Sequence, residues 1–231
     1  MSNWSSSVQA TSALIHEIKN PLSTIQLNLQ LMREDLQGVE SAQVQRVVRR
    51  IGTLEREVQR LSQLLDSFRE LTRLGEMKRQ ACNINRLVRE LVEFVQADLR
   101  QQKVEVLAWY DEQVPELMVD SERLKQAFLN VIINSKQAMP NGGQLMVRTS
   151  RESNHVIVEI TDTGEGIPSE RLERIFDAFY STKKGGMGLG LPMVRRIVEG
   201  HGGSVSVQSE PGKGTQVRIA LPIEPAARPS G

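Results

Sequence analysis

The sequence predicts two unlike parts: a helical hairpin that pairs with a second copy into a four-helix bundle, then an α/β sandwich whose mixed sheet carries helices on one face. Three observations predict this. Apolar residues recur at alternating spacings of three and four from Ile15 to Leu36 and again from Val44 to Phe68, that rhythm stops near Leu74, and beyond it short alternating runs interleave with helical ones.

The first seam runs through Ile15, Ile18, Leu22, Ile25, Leu29, Met32 and Leu36, a heptad pattern. A turn at Gly38 leads to a second, through Val44, Val47, Ile51, Leu54, Val58, Leu61, Leu65 and Phe68. Two long amphipathic helices joined so tightly read as an antiparallel hairpin. Leu14, Leu31, Val48 and Leu64 flank the seams. They widen the apolar stripe beyond what one hairpin buries, which predicts a homodimer. Gly75 and the mixed polar stretch up to Asn83 break the heptads. The predicted domains are therefore a dimerisation hairpin over 1–75, a second domain over 76–223 and a loose Pro- and Ala-rich tail over 224–231.

In the second domain, Asn83 caps a helix from Ile84 to about Leu99, and Val104 to Trp109 alternates as a strand. A helix spans Ser121 to Ala138. The Asn141-Gly142-Gly143 turn follows, leading to strands at Gln144–Thr149 and Val156–Thr161. Leu191 to Glu199 is helical and ends at Gly200. Two closing strands, Ser204–Gln208 and Gln216–Leu221, flank the turn Pro211-Gly212-Lys213-Gly214. His155 and His201 read as structural residues at a strand start and a post-helix turn.

Composition narrows the function. With 29 Lys plus Arg against 28 Asp plus Glu, the formal net charge is +1. A near-neutral chain has no general grip on nucleic acid or anionic lipid, so phosphate must be held at a local site. Cys82 is the one cysteine in the chain, which excludes a disulfide within it and a cysteine zinc cage. No apolar run approaches the roughly 20 residues of a membrane helix. A soluble, cytoplasmic protein without a membrane segment is expected.

Four segments of the second domain carry unusual composition. Asn130 and Asn134, four apart on one helix, share a face, and an amide oxygen suits Mg²⁺ already seated on nucleotide phosphates. Asp162-Thr163-Gly164-Glu165-Gly166-Ile167-Pro168 ends a strand. Its glycines let backbone approach a flat ligand, and the carboxylate accepts from an exocyclic amine, favouring adenine over guanine. Gly185-Gly186-Met187-Gly188-Leu189-Gly190 opens a helix and presents amide donors to phosphates. Gly212-Lys213-Gly214-Thr215 is the fourth. Between the second and third, an aromatic pair anchors the segment Ile175–Lys184, whose Lys183 or Lys184 is placed to meet a phosphate. Each segment alone also fits a plain surface or turn role; their order carries the argument.

The first helix adds His16-Glu17-Ile18-Lys19-Asn20-Pro21. His16 sits just off the seam and faces outward, with Asn20 one turn along on the same face. Pro21 clashes with the carbonyl of Glu17 and kinks the helix beside the histidine, at a cost of about 3 kcal/mol.

His16 to Leu22, H-E-I-K-N-P-L, resembles the phospho-acceptor box of sensor histidine kinases. The segments around Asn130 and Asn134, Asp162 to Pro168, Phe176 to Lys183, Gly186 to Leu191 and Gly212 to Thr215 resemble that family's nucleotide boxes, in its order. The short loop between Phe179 and Gly186 is similar to nitrogen-regulation-type kinases. The resemblance covers residues 8–222 and implies a GHKL-type, or Bergerat, ATP-binding fold. It further implies ATP and Mg²⁺ as cofactors, autophosphorylation on His16 and transfer to an aspartate of a response-regulator receiver domain. By the same resemblance Glu17 orients the imidazole and takes its proton, and Asn20 positions water for a phosphatase step. Asn134 ligates Mg²⁺ with Asn130 beside it, and Asp162, supported by Thr215, binds adenine. Gly164, Gly166, Gly188 and Gly190 shape the pocket and lid, and Lys183, Gly186 and Leu189 complete the nucleotide-binding set. Two departures stand out: Ser135-Lys136 follows Asn134 where the family usually has Ala, and Met187 stands where Thr is frequent. A nucleotide-binding ATPase or regulator of the same fold without phosphohistidine chemistry is the competing expectation. A helical scaffold with a degenerate pocket is the other.

Overall fold

The computed structural model describes residues 22–34, 36, 42–72, 77–178, 180–181 and 188–223. His16, Glu17, Asn20, Pro21, the Gly38 turn, Lys183, Gly186 and the 224–231 tail lie outside the described residues. The chain divides into two compact units, Met1–Gly75 and Glu76–Gly231.

The first unit contains helices α1 (22–34) and α2 (Ala42–Thr72). Among the described residues, alternate seam positions point inward: Leu29, Ile51 and Val58 are buried, with Leu22 and Leu36 packed against them. The intervening seam positions, Ile25, Met32, Val47, Leu54 and Leu61, are between 41% and 54% exposed. A heptad seam has two residues per repeat, and one hairpin uses only one of them. An Arg33 guanidinium donates to the Glu55 carboxylate at 3.0 Å, tying α1 to α2 beside the buried row.

The second unit is built on a five-stranded sheet of β2 (Val104–Tyr110), β4 (Gly143–Glu152), β5 (His155–Asp162), β7 (Gly214–Pro222) and β6 (Ser204–Glu210), in that spatial order. β2 runs parallel to β4, and all other pairs are antiparallel. The register stacks one parity of side chains into the core: Leu145 opposite Asp162, Val147 opposite Ile160, Val158 opposite Ile219 and Ile160 opposite Val217. On the other parity Arg148, Glu159 and Arg218 lie side by side, and Arg218 pairs with Glu159 at 3.6 Å. That polar ladder marks the solvated face. Helices α3 (Ile84–Gln101), α4 (Ser121–Ala138) and α6 (Gly190–Gly200) bury their apolar stripes, including Leu99, Leu124, Phe128 and Val194.

The predicted boundaries of α3 and α4 hold, with Asn83 Oδ1 accepting from the Arg86 amide at the start of α3. Three short elements escaped the sequence reading. β1 (Gln80–Cys82) pairs antiparallel with β3 (Leu117–Val119), and α5 (Ser169–Leu172) is a single turn. The polar stretch before Asn83 is therefore docked. The Lys78 amide donates to Asp120 Oδ2 at 3.1 Å, Arg79 to the Gly200 carbonyl at 3.0 Å, and Gln80 to Ser121 Oγ at 3.1 Å.

His201 closes this corner. The Asp120 amide donates to its Nε2 at 3.0 Å, and Nδ1 donates to the Ile197 carbonyl at 2.8 Å. Both ring nitrogens are used by the neutral Nδ1–H tautomer, and a proton on Nε2 would confront the Asp120 N–H. Burial pushes the His201 pKa below its ordinary value, with the nearby Arg79 and Arg123 adding to the effect against Asp120. The unfolded ring therefore takes up a proton more readily than the folded one. Its contribution is complete above the unfolded pKa of about 6.5 and fades as pH falls below it. A His201→Ala variant is expected to lose about 1–3 kcal/mol at pH 7.5. Urea unfolding at pH 7.5 and 5.5 checks this, and the variant should lose less stability between the two than the unaltered protein.

Candidate functional site

A cavity of about 1080 Å³ opens in the second unit between α4, α6 and the ends of β5, β6 and β7. Val131, Asn134, Ser135 and Ala138 form its α4 wall, at positions i, i+3, i+4 and i+7 of one helix face. Asp162 and Glu165–Pro168 form a second wall, Gly188 and Gly190–Pro192 a third, and Val207, Thr215 and Val217 part of the sheet side. The size suits a nucleotide-sized ligand, and Val131, Leu191, Val207 and Val217 offer apolar surface to a flat ring.

Asp162, the last residue of β5, is only 3% exposed. Its Oδ1 accepts from the Gly164 amide at 2.9 Å and the Thr215 amide at 3.2 Å. A buried carboxylate is tolerable when hydrogen-bonded, and the two amides fix its plane. Ser209 is the neighbouring hub. Its Oγ accepts from the Ile167 amide at 2.8 Å, donates to the Gly214 carbonyl at 2.8 Å and lies 2.9 Å from Thr215 Oγ1. With its single proton spent on Gly214, Ser209 receives the hydrogen bond from Thr215. Thr215 is thereby oriented beside Asp162.

The loop after Asp162 is stapled at both sides: the Glu165 amide donates to the Ala138 carbonyl at 3.0 Å, and the Gly212 amide to the Glu165 carbonyl at 2.8 Å. Gly164 is required because a Cβ there would meet the Ala138 oxygen at 2.5 Å. Gly166 has φ +70°, and a Cβ would lie 2.1 Å from the Glu210 oxygen.

At the other end of the cavity the Asn134 carboxamide lies against Gly190, the first residue of α6; a Cβ on Gly190 would approach Asn134 Nδ2 to 3.4 Å. No side chain caps α6 at Leu189. The first amides of an uncapped helix are donors for an anion. Phe176 is held under the Arg195 guanidinium, 4.6 Å from its ring centre, and Tyr180 under Arg174 at 4.2 Å. Tyr180 and Ser181 also line the cavity.

Of the residues singled out in the sequence, Asn134, Asp162, Gly166, Gly188, Gly190 and Thr215 line this one cavity. Gly164 packs just behind it, Leu189 is buried at the start of α6, and Asn130 is half-buried one turn back along α4, outside the lining. Sequence reasoning missed Ser209 and Gln102. The Gln102 side chain donates to the carbonyls of Lys136 and Met139, both at 2.8 Å, capping the end of α4 from another loop. Ser209 carried a signal, a polar residue continuing the inward parity of Val205 and Val207. Gln102 carried none, since its partners lie 34 and 37 residues away.

Residues 7–77 match the family model of the His Kinase A (phospho-acceptor) domain, and residues 119–225 match that of the histidine kinase-, DNA gyrase B- and HSP90-like ATPases. The sensor histidine kinase ZraS of Escherichia coli (strain K12) is 32% identical over 209 residues, 90% of this chain and 44% of that one. Sporulation kinase D of Bacillus subtilis (strain 168) is 32% identical over 209 residues, covering 90% of this chain and 40% of the relative. The chain thus spans less than half the length of these relatives. Full-length ShkA, solved in complex with AMPPNP, superposes with a TM-score of 0.80 at 25% identity, over 96% of this chain and 47% of its own. The catalytic domain of histidine kinase ThkA does so with a TM-score of 0.59 at 27% identity, over 64% of this chain and 98% of its own. With a phospho-acceptor segment followed by an ATPase-type domain whose cavity holds a fixed, buried aspartate, the chain belongs to the histidine kinase family.

Proposed function

We propose that this chain is the catalytic core of a two-component kinase that binds MgATP in the second unit, phosphorylates His16 and passes the phosphoryl group to an aspartate of a response-regulator receiver domain. The observation that carries this is the polarity of the cavity. Asp162, fixed by two amides, stands at one end and the uncapped start of α6, with Asn134, at the other. An adenine amine suits the first and a triphosphate the second.

Among the described residues no group of three or more His, Cys, Asp or Glu could hold a metal on its own. We assign magnesium to the MgATP substrate, with the neutral Asn134 oxygen as its protein ligand. Phosphoryl transfer needs positioning and charge neutralisation more than covalent help from the protein. A His16 ring nitrogen attacks the γ-phosphorus, the P–N bond forms, the bond to the β,γ-bridging oxygen breaks, and ADP leaves. Glu17 accepts the proton from the other ring nitrogen. A receiver aspartate then attacks the same phosphorus and frees the imidazole.

We also assign the exposed half of the heptad seam to a second copy of the chain, giving a four-helix bundle. Ile25, Met32, Val47, Leu54 and Leu61 repeat at seven-residue intervals on each helix, the complement of the buried row.

Three experiments test these assignments. Incubation with γ-labelled ATP and Mg²⁺ should give acid-labile, alkali-stable label that disappears in His16→Gln. Label surviving in that variant rejects the site, and steady ATP turnover with no protein label favours the ATPase alternative. Sedimentation of a Met32→Glu, Leu54→Glu double variant should show monomers where the unaltered chain sediments as a dimer; a persisting dimer places the interface elsewhere. Finally, Asn20→Ala should leave autophosphorylation within about twofold while slowing receiver dephosphorylation by roughly 10-fold or more. Equal loss of both removes the water-positioning role.

A further inference from the structure

One wall of the cavity is made of irregular chain. Ile175, Tyr180 and Ser181 line the cavity beyond α5, while Gly190, Leu191 and Pro192 line it from the start of α6. In this stretch the amides of Arg174, Asp177 and Tyr180 each donate to the carbonyl three residues earlier, at 2.9, 2.9 and 3.3 Å. Such bonds curl a segment on itself and do not anchor it to its neighbours. The place of this wall therefore rests on side chains.

Two guanidiniums act here. Of the three cation–π stacks among the described residues, two hold aromatic rings of this stretch. Arg174 covers Tyr180 at 4.2 Å from the ring centre, a contact within the segment. Arg195 covers Phe176 at 4.6 Å and belongs to α6, so this stack joins the wall to the helix that supplies the opposing lining. Glu199, one turn along α6, pairs with the Arg195 Nε at 3.3 Å and holds the guanidinium on its helix. Phe176 is half-buried and directly follows Ile175, but neither Phe176 nor Arg195 lines the cavity. What they contribute to a bound ligand passes through the residues they hold in place.

Resting on the nucleotide site proposed above, we propose that Arg195 is a positioning residue: by stacking on Phe176 it clamps the wall of Ile175, Tyr180 and Ser181 to α6 and slows nucleotide release. A partly exposed stack of this kind shifts a local opening equilibrium by about two- to fivefold. Losing it raises the opened population by that factor, and release through the opened wall accelerates equally. The attraction is between a cation and the negative face of a ring. An apolar side chain of similar length does not replace it, and an ammonium replaces it in part.

The test is stopped-flow displacement of the fluorescent nucleotide mant-ADP from the full chain with Mg²⁺. The unaltered protein is compared with Arg195→Met, Arg195→Lys, Phe176→Leu and the Arg195→Met, Phe176→Leu double variant. Arg195→Met should release the nucleotide about two- to fivefold faster, with the urea unfolding midpoint little changed, and Arg195→Lys should recover part of the slow release. In the Phe176→Leu background Arg195→Met should add nothing, because the stack is already gone. Unchanged release in Arg195→Met overturns the proposal, as does a lowered unfolding midpoint without faster release. Effects of Arg195→Met and Phe176→Leu that simply multiply overturn it too. Should Phe176→Leu fail to fold, the two Arg195 variants decide: acceleration by Lys equal to that by Met rejects the stack. If the unaltered chain binds no mant-ADP, the nucleotide reading itself falls and takes this role with it; binding and release that ignore Arg195 sink only the clamp.

Discussion

A carboxylate taken out of water must have its lone pairs answered, and in this molecule that demand sets the shape of the cavity. Asp162 occupies the last core-facing position of the central strand β5, opposite Leu145 on one side and Thr215 on the other. Its Oδ1 draws in the amides of Gly164 and Thr215, which bends the chain after β5 and fixes the start of β7. The bend then forces the following backbone against α4 and against the β6–β7 turn, leaving no room for side chains at 164 and 166. The glycine pattern is thus a consequence of close backbone approach around one anchored acid.

The helix carrying Asn134 and Ser135 is held at both ends by groups from elsewhere in the chain. Asp120 caps its start through the Arg123 amide at 3.2 Å and is itself secured by His201 and by the Lys78 backbone. Gln102 secures the last carbonyls. Capping from both sides leaves little freedom to slide along its axis, so the residues facing the cavity keep their places relative to Asp162. The same His201 links the end of α6 to the start of α4, joining two of the walls through one neutral ring.

The helical hairpin shows a different economy. Two apolar rows per helix are written in the sequence, and folding of one chain consumes a single row around Leu29, Ile51 and Val58. The other row stays open to solvent. That exposed stripe, at strict heptad spacing, is the surface assigned above to a second copy.

Much of the architecture was legible before any coordinates. Heptad spacing named both helices of the hairpin, alternation named the five long strands, and caps such as Asn83 set helix boundaries, because each of these rests on periods or contacts within a few residues. Motif composition pointed to Asn134, Asp162, Gly166, Gly188, Gly190 and Thr215, which the fold gathers around one cavity. The short strands β1 and β3 were invisible, since three residues are too few to display a period and each is defined by the other across 35 or more positions. Ser209 and Gln102 likewise acquire their roles from partners brought near by the sheet and by the α3–β2 turn. Local chemistry is encoded in the order of residues, so the sequence by itself determined the long elements and pointed to the kind of ligand. Which hydroxyl faces the cavity, which carbonyl needs a cap and which half of the seam stays bare depend on distances between remote segments, and those were decided only when the chain closed upon itself.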